Sequence, residues 1–345
     1  MSKKVILTGG AGFIGHEILS LLFRLTDWEI VMLDRLSYSG NLNRVKDILN
    51  NNESNKENRF SYIYHDFKAP FSNDLINLLK DTNIILHIGA SSHVTKSIEN
   101  PRLFLKDNVE GTFNLLELAT ELDNLEIFHY FSTDEVFGPS IVKNKFSEWD
   151  RYNSKNPYSA SKAAGEEFVI AYENTFAVPS LITHCSNVYG KRQHWEKFIP
   201  NTIRKILKNE KIFIHTDKSG IPGSRYYIHN EDVANSVIFL LNNYENIKNK
   251  IENIQLTKPA KVNITGKNLI TNLEIVEKIG RILDKDFDFI LTDSDPTRPK
   301  HDVKYGLDNS LIKSLGGYFD RDFDTGLEET VSWYLNNQQW LSLNN

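Results

Sequence analysis

A glycine-rich turn near the amino terminus constrains the fold more than any other feature of the sequence. The segment Thr8-Gly-Gly-Ala-Gly-Phe-Ile-Gly15 follows a short apolar stretch, Val5–Leu7, and leads into helical apolar spacing over Phe13–Arg24. A strand, a tight glycine turn and a helix in this order are typical of a dinucleotide-binding unit, in which backbone and helix N–H groups face the pyrophosphate. The predicted contacts in this turn are Gly9, Gly12, Phe13, Ile14 and Gly15.

Two acidic residues at strand ends extend the predicted cofactor site. Asp34 ends the second predicted strand, Glu29–Leu33, where an acid commonly binds the ribose and favours NAD over NADP. Arg35 beside it complicates this choice, because an arginine can accept a 2'-phosphate, but the acid at the strand end still favours NAD. Asp66 follows the third predicted strand, Phe60–Tyr64, and either contacts the adenine or caps a turn.

Strand and helix signals alternate through the first half of the chain. This alternation predicts the α/β class, with a Rossmann-like doubly wound parallel sheet and a smaller mixed α/β C-terminal lobe. We expect residues 1–188 to form the NAD-binding domain, with 226–257 packing back on it. Residues 189–225 and 258–345 are expected to form the smaller, substrate-binding lobe. Further strands are predicted at Ile84–Ile88, Glu126–Phe131 and Ser180–Thr183, and long helices at Leu103–Leu122 and Tyr158–Phe176.

Tyr158 and Lys162 lie four residues apart at the start of a predicted helix, so they share one of its faces. An ammonium near a phenol favours the phenolate, and we therefore expect Lys162 to lower the pKa of Tyr158. Such a phenol can take the proton of a sugar hydroxyl. The dinucleotide turn and the preceding Asn156-Pro157 favour this interpretation over an exposed Tyr and Lys.

An adjacent acidic pair, Asp134-Glu135, follows the predicted strand Glu126–Phe131 at its carboxyl end. Ligands of parallel sheets bind at that edge. Two carboxyls in one pocket repel each other, so one can stay protonated as an acid while the other acts as a base. The alternative is a pair that only caps a short helix.

Composition narrows the class of function. With 40% hydrophobic and 25% charged residues and a net charge of -5, the chain gives no electrostatic case for nucleic acid as a partner. A single cysteine, Cys185, cannot form an intrachain disulfide and fits a reducing compartment. We also expect no signal peptide, no membrane span, no metal site and a cytoplasmic location.

Motifs throughout the chain resemble those of the extended short-chain dehydrogenase/reductases, and among these the dTDP-glucose and UDP-glucose 4,6-dehydratases. The Thr-Asp-Glu triplet is the specific part, since the epimerases of this fold lack it. The matching segments include the glycine turn, Tyr38-Ser-Gly-Asn-Leu42, His87-Ile-Gly-Ala-Ser-Ser-His93-Val, Asn108-Val-Glu-Gly-Thr112, Ser132-Thr-Asp-Glu-Val-Phe-Gly138, Asn156-Pro-Tyr-Ser-Ala-Ser-Lys162, Ser186-Asn-Val-Tyr-Gly190, Glu196-Lys-Phe-Ile-Pro200, Arg225-Tyr-Tyr-Ile-His229 and Arg298-Pro-Lys-His-Asp302.

The resemblance implies a role for each matching residue. Tyr158, supported by Lys162, would remove the C4 hydroxyl proton of a nucleotide-linked hexose, and Thr133 would orient the C4 oxygen. Glu135 would then remove the C5 proton, and Asp134 would protonate the departing C6 hydroxyl, with NAD carrying the hydride. Lys162 would also contact the cofactor. The implied substrate residues are Ser91, His93, Asn187, Glu196, Lys197, Arg225, Arg298 and His301.

Departures from the family pattern leave the substrate open. Ser91 replaces a usual Glu or Gln, and the stretch Thr216–Ser224 is longer than usual. A small Ser91 would leave room for a 2-acetamido group, so UDP-GlcNAc stands beside dTDP-glucose and UDP-glucose. The alternatives are a nucleotide-sugar 4-epimerase of the same fold and a non-catalytic NAD-binding protein. The resemblance also suggests a homodimer joined through Leu103–Leu122 and Tyr158–Phe176 as a four-helix bundle.

Overall fold

A seven-stranded parallel sheet forms the centre of the larger part of the molecule. The structure is a computed structural model and describes residues 2–51, 59–140, 145–254, 259–293 and 304–342. The strands are β1 Lys4–Thr8, β2 Glu29–Asp34, β3 Phe60–Tyr64, β4 Ile84–His87, β5 Ile127–Thr133, β6 Ser180–Cys185, β7 Asn187–Tyr189, β8 Ile212–His215, β9 Ser224–His229, β10 Ala260–Ile264, β11 Leu269–Thr271 and β12 Phe289–Thr292. The main sheet has the order β10-β6-β5-β4-β1-β2-β3, which confirms the Rossmann-like prediction.

Helices cover both faces of this sheet, as continuous apolar strands require. They are α1 Gly15–Leu25, α2 Leu42–Asn51, α3 Asn73–Leu79, α4 Val94–Glu99, α5 Pro101–Leu105, α6 Gly111–Thr120, α7 Pro157–Phe176, α8 Phe198–Leu207, α9 Asn230–Asn242, α10 Tyr244–Ile254, α11 Asn272–Leu283, α12 Ser310–Leu315 and α13 Phe323–Asn336. One core lies on the side of α1 and α9, and a second lies between the sheet, α6 and α7. The strand order reverses between β1 and β4, so a ligand crevice is expected outside their carboxyl ends.

The predicted helix Leu103–Leu122 is interrupted. A π-helical turn, Lys106–Glu110, separates α5 from α6. In this turn two adjacent polar side chains, Asp107 and Asn108, are both buried. Turns of this kind are frequent at functional sites.

A smaller region follows β6 and contains two short sheets. One has the order β11-β9-β7 and the other pairs β12 with β8. Its core gathers apolar side chains of α8, α11 and α13. Helix α9 packs against α1. The strand β10 (Ala260–Ile264) lies beyond the predicted boundary at residue 258 and pairs with β6 of the main sheet, because its apolar residues complete the large core.

Candidate active site

The glycine turn has no room for side chains. Gly9 has φ +69, and a Cβ there would lie 2.7 Å from the Cα of Gly89. A Cβ on Gly15 would lie 2.1 Å from the carbonyl oxygen of Gly9. No side chain caps the first turn of α1 at Ile14. The turn thus forms a backbone cradle with the positive end of a helix, and a pyrophosphate fits it.

Asp34, which the sequence predicts to bind the ribose, lies at the edge of the ligand cleft. It ends β2 and lines the same cleft as the glycine turn. Its carboxylate accepts hydrogen bonds from the amides of Ala11 (3.1 Å) and Leu36 (2.7 Å). Burial raises its pKa in spite of these bonds. The two amides fix the carboxylate at the edge of the cleft.

Arg35 binds two carboxylates, those of Asp66 and Asp107, which the sequence alone does not reveal. Its Nη1 donates to both carboxylate oxygens of Asp66 at 3.1 Å, and its Nη2 donates to Asp107 at 2.6 Å. Asp66 also accepts from the amide of Lys68. Partial burial works to raise the pKa of Asp66, but the Lys68 amide and Arg35 outweigh it and lower that pKa. The side chains of Arg35 and Asp66 therefore fix each other in position.

Thr133, Asp134 and Glu135 lie at the carboxyl end of β5. Thr133 caps a 3-10 turn, Asp134–Phe137, by accepting from the amide of Glu135. Asp134 is 4% exposed, and its burial and the neighbouring Glu135 raise its pKa to about 7. Glu135 is less buried and accepts from the amide side chain of Asn156 at 3.0 Å. The two carboxyls therefore differ in environment, as an acid and base pair requires.

Tyr158 and Lys162 are positioned by a rigid helix start. Asn156 and Ser159 form a capping box at the beginning of α7, and Pro157 occupies its first position. The Tyr158 phenol hydrogen-bonds to the Thr133 hydroxyl, which brings the triplet and α7 together. Burial lowers the pKa of Lys162 to about 7, against the charge of Glu166, which raises it.

The sequence predicts that Lys162 lowers the pKa of Tyr158, but in the structure the pKa of Tyr158 is raised. Burial and the charge of Glu135 raise the pKa of Tyr158 well above its ordinary value. The Lys162 ammonium lies 4.0 Å from the centre of the Tyr130 ring. Burial is therefore the main cause of the raised pKa of Tyr158, with Glu135 and Asp134 adding to it, while the Lys162 ammonium faces another ring.

The predicted substrate residues fall into three groups. Ser91, His93, Asn187, Glu196 and Lys197 all line the cleft that holds the glycine turn and the Thr-Asp-Glu triplet. Arg225 lies on β9 with its guanidinium 4.9 Å from the ring of Tyr305, and its charge acts on Asp134. Arg298 and His301 lie outside the described residues.

Sequence reasoning missed a cluster of side chains at the cleft. The Lys96 ammonium lies 3.8 Å from the centre of the Tyr38 ring and 3.2 Å from a carboxylate oxygen of Glu196. The ring of His194 packs edge-on against Tyr38. Tyr38 stands in a motif that matches the family, but two loops and helix α4 meet here, and no local pattern predicts such a meeting.

Comparison with known proteins identifies the family. Residues 6–330 match the model of the GDP-mannose 4,6-dehydratase family. The chain belongs to that family. Membership confirms the predicted resemblance to the extended short-chain dehydrogenase/reductases of the nucleotide-sugar 4,6-dehydratase type.

Individual members of the dehydratase family resemble the chain over nearly its whole length. It is 31% identical to dTDP-glucose 4,6-dehydratase of Escherichia coli, over 98% of this chain and 95% of that protein. It is 32% identical to a trifunctional UDP-glucose 4,6-dehydratase of Arabidopsis thaliana, over 98% of this chain and 48% of that protein. The crystal structure of DesIV, a dTDP-glucose 4,6-dehydratase from Streptomyces venezuelae with NAD bound, superposes with a TM-score of 0.83 at 28% identity, covering 98% of each chain. These relatives favour a dehydratase over the 4-epimerase alternative.

Two structural features are absent from the described part of the chain. No helix there combines the length and apolar character that crossing a membrane needs. Among the same residues, no group of three or more His, Cys, Asp or Glu side chains is arranged to hold a metal ion.

Proposed function

We propose that this dehydratase-family enzyme converts a nucleoside-diphosphate hexose into the 4-keto-6-deoxy sugar. The observation that carries the proposal is the acid and base pair at the end of β5. Asp134 is buried with its pKa raised to about 7, Glu135 is less buried, and Thr133 links both to Tyr158. A 4-epimerase has no need of such a pair, whereas removal of water across C5–C6 needs an acid and a base.

Each side chain has a distinct task in this proposal. Tyr158 takes the C4 hydroxyl proton as its phenolate, with Thr133 holding the phenolate oxygen in place. The positive charges of Lys162 and of the bound nicotinamide would offset the burial that raises the pKa of Tyr158. Oxidation at C4 makes the C5 proton acidic, and Glu135 removes it. Asp134 is protonated near neutral pH and delivers its proton to the departing C6 hydroxyl.

NAD is the cofactor, and the chain offers a site that fits it. The backbone cradle would hold the pyrophosphate, and Asp34 at the end of β2 would hold the ribose. When bound, the cofactor would supply the hydride acceptor for C4 and, once reduced, the hydride donor for C6. Arg35 is engaged by Asp66 and Asp107, which supports NAD over NADP.

The first candidate substrate is dTDP-glucose, because it is what the E. coli relative is named for. The Ser91 hydroxyl donates to Asp107 at 2.6 Å, so it is engaged within the protein. Separate incubation with dTDP-glucose, UDP-glucose and UDP-GlcNAc, followed by mass spectrometry, tests the nucleotide and the sugar. Loss of one water from dTDP-glucose supports the assignment, and loss only from UDP-GlcNAc would contradict it.

An isotope experiment tests the reaction type separately. We expect substrate deuterated at C4 to give product deuterated at C6, with one solvent hydrogen taken up at C5. No added NAD should be consumed. Deuterium found at C4, with the C6 hydroxyl intact, would instead support the 4-epimerase. Substrate recovered unchanged would support the non-catalytic alternative.

We also propose the predicted homodimer and division into lobes. Helices α5 to α7 present large apolar side chains at the surface, including Leu105 and Phe176, each 58% exposed. The rings of Phe113 and Phe168 lie 6.0 Å apart and join α6 to α7 in this surface. A second copy that presents its own α6 and α7 would cover this surface as a four-helix bundle.

The single, buried Cys185 supports the expected cytoplasmic location.

A further inference from the structure

A partly buried ionic cluster lies next to the proposed ribose site. We call it the Arg35 clamp, and it consists of Arg35, Asp66 and Asp107. Arg35 follows Asp34 directly, and its side chain is 17% exposed. Both terminal nitrogens are used, Nη1 by Asp66 and Nη2 by Asp107. A guanidinium beside the ribose acid is thus held in place by two carboxylates.

The π-helical turn between α5 and α6 holds Asp107 in position. The same Asp107 oxygen that accepts from Arg35 also accepts from the Ser91 hydroxyl at 2.6 Å. The next residue, Asn108, accepts from the Ser91 amide at 2.8 Å and donates to the Ser91 carbonyl at 2.9 Å. Asp107 is 1% exposed, so it cannot swing out into water to release Arg35. The turn therefore fixes one side of the clamp.

The cations around the clamp are already engaged. Three carboxylates, Asp34, Asp66 and Asp107, stand against three cations, Arg35, Arg44 and Lys68. The Lys68 ammonium lies 3.6 Å from Asp107, and the Arg44 guanidinium acts on Asp34 by its charge and donates to the backbone carbonyls of Ala11 and Arg192. A 2'-phosphate on the ribose needs a free guanidinium as partner. The Arg35 guanidinium is already paired with Asp66 and Asp107. Releasing it would leave the buried Asp107 carboxylate without this charge partner.

We propose that Asp107 is a specificity-determining residue, which excludes a 2'-phosphorylated dinucleotide by holding Arg35 in the clamp. The inference rests on the proposed function of the glycine turn and Asp34 as the dinucleotide site. It assigns the selectivity to a residue outside the glycine turn and β2. The negative charge of Asp34 repels a 2'-phosphate. Asp107 binds the Arg35 guanidinium, which could otherwise pair with that phosphate.

Binding constants of the purified enzyme test this role. In Asp107→Asn the amide can still accept from Ser91, but the charge that holds Arg35 is lost. We expect NADP to bind about tenfold more tightly than to wild type, which is roughly what one freed charge-assisted contact gives. NAD affinity should change by less than about threefold. Isothermal titration calorimetry with NAD and NADP gives both constants without relying on turnover.

Two further variants make the result specific to Arg35. In Arg35→Ala/Asp107→Asn the gain for NADP should disappear, because the released cation is absent. A gain that survives would mean that only the local charge matters, and it would overturn the proposal. Asp123→Asn removes a charge from an exposed residue paired with Lys80 and should leave both constants unchanged. A gain for NADP there would equally overturn it.

A folding defect is recognised by thermal unfolding, and the partly exposed Asp66 then offers a second variant. Asp66→Asn should also tighten NADP binding in an Arg35-dependent way, and the absence of any gain would overturn the proposal. Wild-type enzyme that binds neither dinucleotide would refute the proposed function itself. Wild type that binds NAD, with an unchanged NADP constant in the folded Asp107→Asn variant, would refute only the inference.

Discussion

Neighbouring residues in the sequence acquire opposite chemistry when the backbone buries one and leaves the other accessible. Asp134 and Glu135 are adjacent, yet only Asp134 is almost completely enclosed. Burial and the charge of Glu135 hold a proton on Asp134 near neutral pH. The pair repulsion that the sequence suggested is therefore present, and burial decides which member keeps the proton.

The pH dependence of the reaction should follow from Asp134. Its raised pKa means that the proton donor is present below pH 7 and is lost as the pH rises through about 7. Lys162, also with a pKa of about 7, loses its charge over the same range. We expect kcat/KM to fall above pH 7, as measured from initial rates between pH 5 and 9.

A matched variant tests which residues cause the fall of kcat/KM above pH 7, the alkaline limb of the pH profile. Glu148 is also buried with its pKa raised to about 7, but it binds the amide of Asn263 at 3.0 Å. Glu148→Gln should leave the alkaline limb in place. A limb that moves with Glu148, or a rate that does not decline by pH 9, would argue against the assignment to Asp134 and Lys162.

Removing the base should leave the preceding step intact. Glu135→Gln keeps an acceptor for Asn156 but cannot take the C5 proton, so turnover should drop by about 100-fold or more. Enzyme-bound reduced nicotinamide should then accumulate on mixing with substrate, and its absorbance should rise. Tyr158→Phe, which blocks the first proton transfer, serves as the control and should show no such absorbance. Equal spectra for the two variants would remove the support for Glu135 as the base.

At the scale of elements, helix α7 links the active site to a buried polar network. Tyr158, Lys162 and Glu166 recur every four residues and share one face. Glu166 accepts hydrogen bonds from Ser132 and Tyr152 and pairs with His184 at 3.0 Å. Burial opposes its charge, but His184 and its other partners lower its pKa below the ordinary value. A charged Glu166 thus stabilises the end of β5 and the ammonium of Lys162.

Glu166→Gln should affect both stability and pH dependence. Breaking a fully buried charged network should lower the free energy of unfolding by about 3 kcal/mol, measured by urea denaturation. Loss of the carboxylate should also lower the pKa of Lys162 further, moving the alkaline limb of kcat/KM to lower pH. The neighbouring exposed Glu167→Gln is the control and should change neither quantity. A destabilised variant with an unshifted limb would restrict Glu166 to a structural role.

Elements with local signals could be predicted from the sequence, and those that depend on distant partners could not. The glycine turn, six strands of the main sheet and the start of α7 carry their periodicity and caps in a few residues. Strand β10 joins the sheet only because β6 accepts it across a long separation in sequence. The π-helical turn, the partners of Arg35 and the raised pKa of Tyr158 likewise depend on contacts between remote segments.

At the scale of the whole molecule, the proposed dimer makes a direct prediction. Phe168→Glu would place a charge in the apolar surface of α6 and α7, so we expect it to shift the enzyme from dimer to monomer. Sedimentation velocity at micromolar concentration measures the change. Leu78→Glu, on α3 and 59% exposed, is the matched control and should remain dimeric. A wild-type monomer, or a dimer unaffected by Phe168→Glu, would exclude this surface as the interface.

The late arrival of β10 ties the two parts of the molecule together. The chain leaves the main sheet after β6, builds much of the smaller region, and returns to place Ala260–Ile264 beside Leu181–Cys185. A fragment that ends near residue 188 would therefore leave the backbone N–H and C=O groups of β6 unpaired along an apolar edge. Such an edge is a template for aggregation. The cofactor-binding half should therefore be insoluble when produced alone, and the enzyme is best truncated, if at all, beyond residue 264.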